Sequence, residues 1–444
     1  MGQTNYIKTL LNIFDSISIY EGVINSGPAR TAEELLKSMG GTGENPATRR
    51  LLAKLFKDLA ARAELSPCPQ AGSIWQNCLL DQIILDENTF TRMAGSGALA
   101  SGRPPAGTVF AAAARELKML RILMDIDFRR LFPFDQDDCV YPSLISSAPD
   151  SAANEPAQKD CSLYFYRLKE ELLNTADWSG TAEKLSSFHF TSGFGIFCQY
   201  RAFRWNGKNK RLTGIADPDP VRMEELVGYE EERSRVMLNT EHLIAGLPAN
   251  NILLYGDRGT GKSSTVKALL HRYGHRGLRI LEIPKKHLED YHEIIGLIKN
   301  TGLKFILFVD DLSFEDHETE YKDLKSILDG SLQAKPENAV IYATSNRRRL
   351  VREFFHERNQ DVNGLDTLQE KLSLSDRFGI TVLFLSPDQE LYIKIVEGLA
   401  RQRGIDIPSE ELRLRAIEWE RWNNGRSGRT ARQFVDYLAA SDLN

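Results

Sequence analysis

The sequence predicts an α/β protein: a five-stranded parallel sheet flanked by helices, closed by a helical C-terminal segment and preceded by a mostly α-helical N-terminal domain. Three observations carry this. Short apolar runs at 252–256, 279–283, 305–309, 339–343 and 380–385 alternate with helical patterns. Their separations, roughly 25 to 40 residues, suit right-handed crossovers between parallel strands. Before about residue 215, and again after Pro387, the apolar spacing is helical instead. The expected division is therefore 1–215, an accessory or recruitment domain, then 221–386, the sheet domain, then 387–444, a helical lid.

At the N-terminus, Ile7, Leu10, Leu11 and Phe14 lie on one helical stripe, and Leu51, Leu52, Leu55, Phe56 and Leu59 on another. Thr31-Ala32-Glu33-Glu34 reads as a helix start with acids in its first turn. Glycine and proline mark a loop at 39–46 and a linker at 94–108, and a polar stretch marks a surface loop at 146–160. A single long helix is expected over 109–131, and residues 188–205 read as strand or hairpin. Lys208, Lys210 and Arg211 follow, and Asp217-Pro218-Asp219-Pro220 marks the domain boundary.

Bulk composition excludes several classes. The 444 residues are 42% hydrophobic and 26% charged, and a chain this long divides into domains. No apolar run approaches the roughly 18 residues of a membrane span, and the N-terminal residues lack a signal-peptide pattern, so a cytoplasmic location without a membrane partner is expected. The cysteines number five, without a C-x-x-C pair, so neither a disulfide framework nor a zinc site is indicated. A net charge of -5 argues against a general nucleic-acid coat, while leaving room for a local basic patch.

The chemistry is concentrated after the first strand. Gly256-Asp257-Arg258-Gly259-Thr260-Gly261-Lys262-Ser263 fits the phosphate-loop pattern G-x-x-x-x-G-K-[ST], and Ser264 and Val266 continue into an apolar helix. The glycines let successive N–H groups face one anion, Lys262 adds a point charge at the outer phosphates, and Ser263 offers a hydroxyl to magnesium. ATP and magnesium are the expected cofactors. The third strand ends in Asp310 and Asp311. In a parallel sheet that end opens on the ligand crevice, so Asp310 is expected to hold magnesium and Asp311 to orient or deprotonate water. Asn346, after the next strand, is expected to fix the same water. Arg377, before the last strand, suits a finger reaching a neighbouring subunit's γ-phosphate, against the alternative of a surface pair with Asp376. His271 and His275 share a helix face but lack a third ligand, and Arg347-Arg348-Arg349 reads as a solvated face.

Together these motifs resemble the AAA+ ATPases over about 221–444, roughly half the chain, and within them the uncharacterised bacterial DUF815 family. The resemblance implies Walker A at 256–263, Walker B at 307–311, Asn346 as sensor 1, Arg377 as arginine finger, and Arg432, or alternatively Arg429, as sensor 2. It also implies that the segment holding Val227 and Gly228 packs on adenine. It further implies a ring or spiral homo-oligomer when ATP is bound, remodelling or loading a protein or nucleic-acid complex recruited through the N-terminal domain. Two departures matter. Asp311 stands where most such enzymes carry Glu, which leaves a slow or non-hydrolysing ATP-gated switch as the alternative. After the second strand, 284–289 lacks the aromatic-hydrophobic-glycine loop that grips polypeptide, so a helicase-loader or initiator layout is the nearer match.

Overall fold

The computed structural model describes residues 3–39, 46–64, 66, 70–101, 106–132, 140–146, 160–314, 320–329, 336–346, 374–423 and 425–441. The chain forms two compact units, one of Met1–Tyr200 with Thr301–Leu303, the other of Arg201–Asn300 with Lys304–Asn444. The loops expected at 39–46 and 146–160 fall mainly outside the described residues. Arg347, Arg348 and Arg349 fall wholly outside them.

The first unit is helical among its described residues. Helices Gln3–Ser16, Gly27–Met39, Pro46–Glu64, Ile74–Leu85, Ala106–Met124 and Thr181–Ser192 bury a common core that includes Leu10, Leu36, Leu55, Ile83, Leu117 and Leu185. The two predicted stripes enter it, with Leu11, Leu51 and Phe56 at its margin. Three local expectations change. Thr31 lies inside a helix that begins at Gly27, where its hydroxyl donates to Gly27 O (2.9 Å) rather than capping. The glycine-rich stretch 94–108 is largely ordered: helix Thr89–Gly95, a 3₁₀ turn Ala98–Ser101 and a helix from Ala106. That helix stops at Met124, and Asp127 caps a separate turn, Phe128–Leu131, by accepting from Arg129 N.

The second unit is built on a sheet of seven strands, not five. These are β1 (Ala202–Asn206), β2 (Arg211–Ile215), β3 (Ile252–Gly256), β4 (Leu278–Glu282), β5 (Lys304–Val309), β6 (Ala339–Ser345) and β7 (Ile380–Phe384). Their order is β2-β1-β4-β5-β6-β3-β7. Five strands match the sequence reading. The other two form a hairpin whose first strand extends the parallel sheet through Ala202, Phe203 and Arg204 against β4, while β2 runs antiparallel to β1. The hairpin escaped because its short strands alternate weakly and only Phe203 and Trp205 bury large side chains. Of the expected strand or hairpin at 188–205, the described chain is helical up to Ser192 and over Ile196–Gln199, and the strand begins at Ala202.

This order positions the site. β3 feeds the helix Lys262–Tyr273 and then β4, two places beyond its neighbour β6, so the loops after β3, β5 and β6 open together at the carboxyl edge. The register pairs Val309 with Ala343 and Leu254 with Thr344, which sets the ends of the three strands level. Three further helices, Gln389–Gln402, Ser409–Trp422 and Gly428–Ser441, pack through Tyr392, Val396, Leu412, Ala416, Phe434 and Leu438 in the same hydrophobic core as the sheet.

Candidate nucleotide-binding site

The phosphate loop has the backbone its glycines require. Gly256, Gly259 and Gly261 all lie at positive φ (132°, 75° and 92°). At Gly256 a side chain is excluded outright, because a Cβ would stand 2.0 Å from the carbonyl oxygen of Phe384 on β7. Asp257 N donates to that same oxygen (3.0 Å), and the Asp257 carboxylate accepts from Ser386 N (2.8 Å), which holds its pKa below the ordinary carboxylate value. Thr260 Oγ1 closes the turn on Asp257 O (2.9 Å). Lys262 is buried and donates to Gly256 O (2.9 Å) and Asp257 O (2.6 Å). Burial pushes its pKa down, opposed by Asp257, Asp311 and Asp310. The loop's own carbonyls thus keep this cation inside the turn.

Opposite Lys262, one hydrogen-bonded cluster joins three loops. Asp310 Oδ1 accepts from Ser263 Oγ (2.6 Å), Thr344 Oγ1 (2.5 Å) and Asp311 N (3.2 Å). Thr344 Oγ1 also accepts from Asp311 N (3.0 Å), and Leu312 N donates to Thr344 O (2.6 Å). Asn346 Nδ2 donates to Asp311 Oδ1 (2.8 Å). Asp311 sits at φ 51°, a left-handed conformation that Asp tolerates better than most side chains. The residue choice that looked like a departure thus matches its backbone. Ser263 and Asp310 place a hydroxyl and a carboxylate oxygen at one point. This hard oxygen pair fits the donor set of magnesium.

A cleft of about 540 Å³ runs from this cluster between the loop and the helical C-terminal segment. Arg258, Gly259, Thr260, Gly261, Lys262, Ser263 and Ser264 line one part, with Asp310, Asp311 and Asn346 beside them. Val227 lines it further along, whereas Gly228 and the Gly256-Asp257 pair do not. Gly228 (φ 80°) instead shapes the turn, since a Cβ there would meet Leu391 at 2.9 Å. Arg429 and Arg432 both line the cleft, and Arg429 N donates to Gly259 O (3.2 Å), tying the last helix to the loop. Arg377 is not in the cleft lining. It pairs with Asp329 at the end of helix Glu320–Asp329, rather than with Asp376.

Sequence reading missed three cleft features. Thr344 ends the strand just before Asn346, and its place between Ala343 and Asn346 was the available signal. Ile395 and Leu399 come from a helix whose apolar stripe reads as ordinary core. Arg233 follows Glu230-Glu231-Glu232 and reads as a solvated face, yet it is only 7% exposed. The remaining singled-out groups are structural. His271 Nε2 lies 2.7 Å from Asp219 O, and no cluster of potential metal ligands occurs among the described residues. Lys210 is neutralised by Asp290 (2.5 Å) and Glu293 (2.9 Å). Cys78 and Cys198 are buried free thiols.

A parallel sheet with a phosphate loop after β3, paired acids after β5, a polar end on β6 and a helical C-terminal segment is the fold of an AAA+ P-loop ATPase. The profile described as "Protein of unknown function (DUF815)" matches residues 198–442, and the chain belongs to that family. No curated protein matches it in sequence. Among solved structures, the Thermotoga maritima RuvB Holliday junction branch migration motor aligns at 16% identity and a TM-score of 0.35, over 49% of this chain and 63% of that one. The replication initiator DnaA bound to AMPPCP and single-stranded DNA aligns at 20% identity and a TM-score of 0.34, over 50% and 65%. The chain thus spans less than two thirds of either structure, and these likenesses carry no inference about activity or partner. No described helix is long and apolar enough to cross a membrane.

Proposed function

We propose that the chain binds and hydrolyses Mg-ATP and uses the cycle to remodel or load a protein or nucleic-acid complex. The observation that supports this most directly is the hydrogen-bonded cluster of Ser263, Asp310, Asp311, Thr344 and Asn346 facing Lys262. Lys262 and the loop amides bind the phosphates, and Ser263 and Asp310 hold magnesium, which neutralises phosphate charge when bound. Asp311, oriented by Asn346, accepts the proton of the attacking water. Arg432, with Arg429 as alternate, contacts the γ-phosphate from the lid.

The test is steady-state phosphate release with ATP and magnesium. Wild-type protein releases phosphate well above a Lys262→Ala control, and that control loses nucleotide affinity. Absence of release above the control while ATP still binds favours the second reading, an ATP-gated switch. The exposed Asp311 is the observation behind that reading.

Arg377 acts in trans in this account, within a ring or spiral formed on ATP. Its ion pair with Asp329 holds it outside its own cleft. Arg377→Ala keeps ATP affinity and loses turnover, and mixing it with Lys262→Ala subunits restores part of that turnover. Undiminished turnover in Arg377→Ala alone removes the trans role.

A further inference from the structure

Strand β6 carries a hydroxyl to which the proposed chemistry gives no role. Thr344 is the last residue but one of this strand and is 2% exposed. The strand runs between β5 and β3, and Thr344, paired with Leu254, lies one step past the Val309–Ala343 pair that ends the β5–β6 ladder. That register sets it beside the first residue after β5, which is Asp310. A β-branched residue suits a buried strand, but valine would serve that purpose better, because a buried hydroxyl is costly unless it is bonded. The bonds of this hydroxyl therefore state its use.

Among the described residues those bonds all go to the acid pair. A hydroxyl has one proton to donate and two lone pairs with which to accept. Because an N–H can only donate, Thr344 Oγ1 accepts from Asp311 N (3.0 Å) and sends its own proton to Asp310 Oδ1 (2.5 Å). The carbonyl of the same residue accepts from Leu312 N (2.6 Å). Two successive N–H groups thus end on Thr344, and they hold the turn in which Asp311 lies at φ 51°. On Asp310, Oδ1 is engaged by Thr344, Ser263 (2.6 Å) and Asp311 N (3.2 Å), whereas Oδ2 accepts no hydrogen bond among the described residues. One hydroxyl thereby fixes how the Asp310 carboxylate faces and how Asp311 sits relative to it. Asn346 bonds the Asp311 side chain alone and does not supply this link.

We infer that Thr344 is a positioning residue for the metal site, holding Asp310 and the turn at Asp311 in the arrangement that receives magnesium. The inference rests on the Mg-ATP reading above. It is tested by calorimetric titration of the full chain with ATP, once in excess magnesium and once in EDTA, the ratio of the two affinities being the magnesium enhancement. Thr344→Val keeps the shape of the side chain and removes both hydroxyl bonds. It lowers the enhancement roughly ten-fold to a hundred-fold, the range for groups that orient a metal-ligating carboxylate, while affinity in EDTA stays at the wild-type value. Thr344→Ala gives the same loss, so the prediction stands on two variants. Thr344→Ser, which returns the hydroxyl without the methyl group, restores the wild-type enhancement. A purely structural threonine predicts otherwise: affinity in EDTA falls together with affinity in magnesium, and serine rescues neither. That result overturns the inference, as does a wild-type enhancement in Thr344→Val or Thr344→Ala. Either outcome, with ATP bound more tightly in magnesium by the wild-type protein, leaves the Mg-ATP reading intact. Failure of the wild-type protein to bind ATP, or to bind it more tightly in magnesium, removes both.

Discussion

The two units differ in whether buried charge also lines a cleft. In the helical unit each buried charge is used up internally. Glu116 accepts from the backbone N–H groups of Ser18 (3.1 Å), Ile19 (3.1 Å) and Tyr20 (3.0 Å), where the chain turns after its first helix. Lys169, 0% exposed, pairs with Asp81 (2.6 Å) and donates to Asn77 Oδ1 (2.6 Å). His189 stays neutral, its pKa lowered to about 4 by complete burial against a hydrogen bond to Gly193 O. In the sheet unit Arg279, Asp290 and Glu420 are likewise bonded internally, but Lys262 and Arg233 line a cleft. Among the described residues Lys262 donates to backbone carbonyls only and Arg233 has no hydrogen-bond or ion-pair partner, and the acid pair Asp310-Asp311 is exposed. Closed polar networks fix a shape, whereas open ones are completed by a ligand. The difference agrees with the proposed chemistry in the second unit and with an architectural use of the first unit's charges.

The contrast is broken or sharpened by substitutions that separate stability from nucleotide handling. The largest effect on stability belongs to Lys169→Met, which leaves the Asp81 carboxylate without its buried cation. It lowers unfolding stability by about 3–5 kcal/mol in denaturant titration. ATP affinity of the folded fraction is unchanged. A smaller, pH-linked effect comes from His189. Its folded pKa of about 4 lies below the unfolded value of 6.5, so above pH 6.5 the ring is neutral in both states and stability is fully present. As pH falls from there through about 4, the unfolded chain takes up a proton that the folded chain refuses, and roughly 3 kcal/mol is lost. His189→Leu flattens that part of the stability–pH profile. A variant that kept the slope would place its source elsewhere.

Legibility in the sequence followed the range of the interactions. The phosphate loop was readable because its geometry is written in consecutive residues, and Gly256 could be nothing else beside Phe384 O. Asp310, Asp311 and Asn346 were readable from strand ends, since a parallel sheet brings those ends to one edge. The hairpin Ala202–Ile215 was not, because its place is set by pairing with Ile280, Leu281 and Glu282, far along the chain. Arg233 was not, because a charge after three glutamates looks solvated until the turn at Gly228 and Tyr229 folds it beneath the C-terminal helices. The left-handed backbone of Asp311 has no local signature, and it explains the aspartate more simply than impaired catalysis does.

That residue decides between engine and switch. The direct test measures ATP affinity and phosphate release together in Asp311→Asn, which keeps the size of the side chain and its contact with Asn346 while removing the base. Affinity within a few-fold of wild type, with turnover lowered by roughly 10²- to 10⁴-fold, is the result the account predicts. Turnover equal to wild type in that variant would contradict it.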